Sequence, residues 1–92
     1  PHLPGRPMKI EFDVPEYDPK RGLKLQWDED FLISVETHGP QVHIRANPAG
    51  LRSLARHLLC LAQDGIPQGR HFHLDDLNSL EEGSAELIVE RS

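Results

Sequence analysis

One cysteine, one methionine, one tryptophan, one tyrosine and no long apolar run in 92 residues exclude several classes of protein before any motif is read. A lone thiol, Cys60, forms no internal disulfide, so this is no disulfide-stapled secreted scaffold, and a reducing, cytoplasmic compartment suits it. Cys60 sits among leucines, where it reads as a buried, inert thiol. The longest apolar run, Leu58 to Ala62, falls far short of the roughly 20 residues a membrane span needs, and the N-terminus lacks the apolar segment of a signal peptide. Basic residues are scarce too: 10 Lys and Arg stand against 15 Asp and Glu, a net charge of −5. That balance argues against a nucleic-acid binder and leaves a basic protein as the more natural partner. There is no Gly-rich phosphate loop, no Gly-x-Ser-x-Gly elbow and no helical His-Glu-x-x-His, so neither an enzyme nor a cofactor is expected.

What the chain does contain is alternation. Three prolines and a glycine in residues 1–7 mark an extended leader or a cloning remnant, and a single α+β domain is expected over residues 8–92. Ile10, Phe12 and Val14 alternate with Lys9, Glu11 and Asp13, as a half-buried strand requires. After a turn-rich linker, Leu23, Leu25 and Trp27 predict a second strand, Phe31, Ile33 and Val35 a third, and Val42, Ile44 and Ala46 a fourth. Thr37-His38-Gly39-Pro40 is the turn between the last two. Asn47 is a good N-cap and Pro48 fits the first helical position. Leu51, Leu54, Leu58, Leu61 and Ala62 then recur at three-four spacing, a leucine stripe turned to the core with Arg52, Arg56 and Gln63 toward solvent. Gly65 and Pro67 end the helix. Phe72 and Leu74, then Leu87 and Val89, mark two further strands. The order β-β-β-β-α-β-β predicts a two-layer α+β sandwich, a mostly antiparallel sheet with one helix on one face and the other face partly open.

With Val42, Ile44, Phe72, Leu74, Leu87 and Val89 toward the helix, alternation sends His43, Arg45, His71, His73, Asp75 and Glu86 to the open face. Three of the six histidines thus share one predicted surface. Residues two apart on a strand lie roughly 6.5–7 Å apart, so His71 and His73 form a candidate pair of metal ligands, with His43, Asp75 or Glu86 to complete the set. The competing readings are a plain polar face, a protein-recognition surface, and a homodimer through the same face. His71 with Asp75 or Glu86 would also make an acid-base pair, but such pairs are ordinary structural contacts. His57, beside Arg56 on the helix, reads as a surface or boundary residue, and Trp27 as core.

From residue 42 onward the chain resembles a known family. The run Ala46-Asn47-Pro48-Ala49-Gly50-Leu51, then Gly69-x-His71-x-His73-Leu74-Asp75, then Gly83-Ser84-x-Glu86-Leu87 is similar to immunity protein family 32 of bacterial polymorphic toxin systems. The resemblance implies a small cytoplasmic protein that binds and neutralises a cognate toxin. It places family-like residues at Asn47, Gly50, Leu51, Gly69, His71, His73, Asp75, Gly83, Ser84 and Glu86. Asn47 reads as a cap, Leu51 as core, and Gly69 and Gly83 as turn positions. His71, His73 and Glu86 have no role on the helix side and are the candidates for recognition, with His43, Arg45 and Asp75 beside them.

Overall fold

Asn47 starts the helix and anchors it. Its Oδ1 accepts the Gly50 N–H at 2.8 Å and the Leu32 N–H at 3.0 Å, while its Nδ2 donates to the Asp30 carbonyl at 2.9 Å. The computed structural model, which describes residues 5–92, is α+β, with β1 Ile33–His38, β2 Gln41–Ala46, α1 Pro48–Leu61, β3 His71–Leu74 and β4 Leu87–Glu90. Most of the expected leader, with His2, lies outside the described residues. Among those described, no helix is long and apolar enough to cross a membrane.

In place of one six-stranded sheet there are two antiparallel hairpins, β1-β2 and β3-β4. The segment between β3 and β4 joins them. Glu81 and Ala85 donate their N–H groups to the carbonyls of Ile33 and Val35, each at 2.8 Å, and the Val35 N–H donates to Ser84 Oγ at 3.1 Å. This occupies the edge of β1 that the two earlier strands would have needed.

Residues 9–14 and 23–27 accordingly form no strand, which corrects the expected order to β-β-α-β-β. They run without a ladder in a strap whose flanking residues Pro15, Tyr17 and Asp28 are tied through the backbone to Ser53 on the helix and Gln63 just beyond it. Asp28 donates its N–H to Ser53 Oγ at 2.9 Å, Tyr17 donates to Gln63 Oε1 at 3.0 Å, and Gln63 Nε2 donates to the Pro15 carbonyl at 2.8 Å. Arg56 and Arg52 reach Asp28 at 2.7 and 2.9 Å. Hydrogen bonds from Arg52 and Arg56 hold the Asp28 carboxyl below the usual carboxylate range. Arg52, Arg56 and Gln63 therefore serve the strap instead of facing solvent alone. Leu23, Leu25 and Trp27 keep their inward alternation and pack against the core, so the period-two pattern is real although the ladder is not.

The helix also turns a different face inward. Gly50, Ser53, His57, Cys60 and Leu61 are buried, whereas Leu51 and Leu58 are half-exposed. Small residues on the buried face let the backbones approach. A Cβ on Gly50 would lie 2.5 Å from the Leu32 carbonyl oxygen and 2.8 Å from Ile33 Cγ1, which explains a glycine in a first helical turn. Ser53 also donates to the Ala49 carbonyl within the helix, so its hydroxyl is satisfied twice. Arg91 closes the far end by donating to the carbonyls of Leu61 and Gln63.

His57 is a second correction, being only 1% exposed. Its ring meets Trp27 edge-on at 4.3 Å and Phe72 at 5.8 Å, and neither ring nitrogen has a hydrogen-bond partner among the described residues. Burial, with a smaller contribution from the neighbouring Arg56 charge, pulls its pKa down to about 4, so it is neutral at pH 7. Around it the core comprises Ile33, Val35, Leu61, Ile66, Phe72, Leu74 and Leu80. Val42 and Ile44, expected on the covered face, are instead 62% and 46% exposed.

Candidate functional site

β3 and β4 are short because both ends are fixed by turns. Gly69 at φ +91° and Gly83 at φ +84° occupy left-handed positions that glycine adopts without strain. The Gly69 N–H donates to the Arg91 carbonyl at 2.8 Å, closing the hairpin's open end. At the other end Asp75 organises the loop. Its Oδ1 accepts the N–H groups of Leu77 and Asn78, and its carbonyl accepts those of Ser79 and Leu80. Asn78 returns a bond from Nδ2 to the His73 carbonyl at 3.1 Å. Asp75 is thus partly spent on the fold.

The register pairs His71 with Glu90, Phe72 with Val89, His73 with Ile88 and Leu74 with Leu87. Phe72 and Leu74 are buried, and their neighbours His71 and His73 stand on the outer face with Ile88 and Glu90. There His73 Nε2 lies 2.6 Å from Glu86 Oε1 and 3.6 Å from Asp75 Oδ2. The short contact is a hydrogen bond in which Nε2–H donates to the carboxylate, which fixes the tautomer and the ring.

Of the six candidate residues the structure brings three together. His73, Asp75 and Glu86 offer ligand atoms that all lie within 4.8 Å of one another. His71 does not join them. Its Nδ1 turns to the Gly69 carbonyl at 3.2 Å, so the expected His-x-His pair is replaced by one imidazole and two carboxylates. His43 and Arg45 sit on the other hairpin, where His43 contacts Gln41 Oε1 at 3.3 Å and stacks edge-on with His38 at 5.1 Å. A metal ion at His73 would have to displace the proton now shared with Glu86.

Sequence reasoning passed over Ile88. It is 58% exposed at the centre of the outer face, with His71, His73, Glu86 and Glu90 around it. The signal was present as a third consecutive aliphatic in Leu87-Ile88-Val89: alternation that buries the outer two must expose the middle one. Exposed carboxylates at Asp76, Glu81, Glu82, Glu86 and Glu90 surround this end of the molecule. Asp28, in contrast, is paired with the two helix arginines.

A family model described as immunity protein 32 matches residues 41–92, which contain β2, α1, β3, β4 and all six candidate residues. No curated protein and no solved structure matches the chain.

Proposed function

Because the chain belongs to the immunity protein 32 family, we propose that it binds and neutralises a cognate bacterial toxin by stoichiometric occlusion, through the outer face of β3-β4. The observation that carries this reading is the composition of that face. One exposed aliphatic, Ile88, is ringed by a fixed imidazole–carboxylate pair, a second histidine and further carboxylates. An apolar centre with a polar rim is the usual anatomy of a protein–protein interface, and its few central residues carry most of the binding energy.

The roles divide by chemistry. Ile88 fills an apolar depression on the toxin. His73, held by Glu86 through Nε2–H, offers a rigid acceptor at Nδ1 and an aromatic edge that lose little entropy on binding. The surrounding carboxylates steer a basic surface toward the face, which speeds association most at low ionic strength. His71 and Glu90 form the rim. His43 and Arg45, on the first hairpin, lie outside this patch. The His73–Glu86 pair works here as a recognition element and not as a general base.

Co-expression with the toxin encoded beside it tests the reading. The chain is expected to protect the host cell and to co-purify with the toxin in one-to-one ratio. A chain that is folded yet neither protects nor co-purifies contradicts it.

A further inference from the structure

β2 has one partner and one bare edge. Its neighbour β1 uses the outward groups of Ile33 and Val35 on the 81–85 segment, so in an antiparallel register the groups of their partners Ala46 and Ile44 must point away from β1. The two-residue turn at Gly39-Pro40 gives the same phase, since it makes His38 and Gln41 a hydrogen-bonded pair and leaves Val42 facing outward. Among the described residues nothing bonds to the outward N–H and C=O groups of Val42 and Ile44.

The one charged residue on the edge is Arg45. The edge has no proline, no bulge and no covering loop, and its two outward residues are β-branched aliphatics, 62% and 46% exposed. Leu51, at 54% exposure, adds to them in a cavity of about 540 Å³ that is lined from both faces of the strand. Backbone donors and acceptors in this array match those of another extended strand, which would replace the water on them.

The sequence of the strand says which. Gln41-Val42-His43-Ile44-Arg45 has nearly the same pattern read in either direction. We propose that β2 pairs antiparallel with β2 of a second copy of this chain, about a two-fold axis at His43, giving a four-stranded sheet across the dimer. The outward groups then form two hydrogen-bonded pairs, Val42 with the partner's Ile44 and Ile44 with the partner's Val42. On one face these are cross-strand pairs of β-branched side chains, among the most favourable in sheets. On the other face Arg45 meets the partner's Gln41, so no two arginines are opposed. A register shifted by two residues would set Arg45 against the partner's His43. The toxin-binding face on β3-β4 is left free, and the dimer stands or falls independently of it.

The mass of the protein purified alone, followed by sedimentation or light scattering across a dilution series, tests the pairing. Twice the chain mass of 10.4 kDa is expected. Val42→Lys and Ile44→Pro are both expected to give single chains with unchanged circular dichroism, because the Ile44 N–H that proline removes is not part of the β1-β2 ladder. The register has its own test. His43→Cys lies on the axis at a non-hydrogen-bonded pair and is expected to cross-link to itself under mild oxidation, whereas Arg45→Cys is not. Cys60, 1% exposed, does not compete. A wild-type chain that stays single at every concentration overturns the proposal, as do His43→Cys and Arg45→Cys chains that cross-link equally.

Discussion

The two hairpins are built alike and covered differently. In β3-β4 the inward residues of both strands meet the core, Phe72 and Leu74 fully and Leu87 and Val89 in part. In β1-β2 it is chiefly β1 that does: Ile33 and Val35 are each 1% exposed and Ala46 of β2 packs beside them, while Val42 and Ile44 overhang into solvent. The helix sets the difference. It begins one residue after β2, and Gly50 seats its first turn against Leu32, Ile33 and Ala46, at the end of the hairpin where β1 starts and β2 stops. The middle of β2 is thus bare, and each hairpin has one exposed surface with an aliphatic on it, Val42 and Ile44 on the first and Ile88 on the second.

That contrast is broken most severely by truncating the same aliphatic in the two settings. Ile33→Ala, fully buried, is expected to cost roughly 3–4 kcal/mol in denaturant unfolding, whereas Ile44→Ala on the overhang costs under about 1 kcal/mol for the single chain. Equal losses would mean that β2 is covered after all.

Acid tests the cover of the second hairpin, since His57 lies against Phe72. With an unfolded pKa of 6.5 and a folded pKa of about 4, the folded state resists protonation. Stability is therefore complete above pH 6.5 and falls as pH drops toward 4, by about 3 kcal/mol in all. His57→Phe, which keeps the aromatic contacts, is expected to flatten that slope in pH-dependent unfolding. Asp28, whose carboxyl is depressed below its ordinary 3.8, loses its contribution only at lower pH and does not obscure the window. A slope that survives in His57→Phe would place the titrating group elsewhere.

Gly50→Ala sharpens the comparison by disturbing the seat itself. Helix propensity favours alanine by up to about 1 kcal/mol, but the new methyl meets a backbone carbonyl and a buried side chain that cannot give way. A net loss of about 1–2 kcal/mol in thermal unfolding is expected, and a gain would show that the helix shifts freely beneath β1.

Much of this was legible in the residues. Asn47, Pro48 and the turn at Gly39-Pro40 bound their elements as read, the alternation around Phe72 and Val89 gives the second hairpin, and Gly69 and Gly83 stand in left-handed turns. Two things were not. Alternation at residues 23–27 reports a chain with one face inward, and says nothing of whether a neighbour's edge is available to bond it, while at residues 9–14 even the inward face fails, since Ile10 is 68% exposed. The leucine stripe misled for a related reason. Close approach selects small or polar residues such as Gly50, Ser53 and Cys60, so Leu51 and Leu58 fell outside the contact while Leu61 stayed in the core. The site was half-visible: polar residues on the outer face followed from period two, but the partnership of His73 with Glu86 depends on the ladder register and on a loop that Asp75 folds. Ile88 was hidden because it resembles its buried neighbours.

Whether the outer face of β3-β4 receives the toxin and the edge of β2 does not is decided by titration calorimetry of the toxin with two single-residue variants. Ile88→Arg is expected to weaken binding roughly 100-fold or more at unchanged stability, and Val42→Lys to bind one-to-one like the wild type. Undiminished binding by Ile88→Arg together with loss of binding by Val42→Lys would contradict that placement of the toxin.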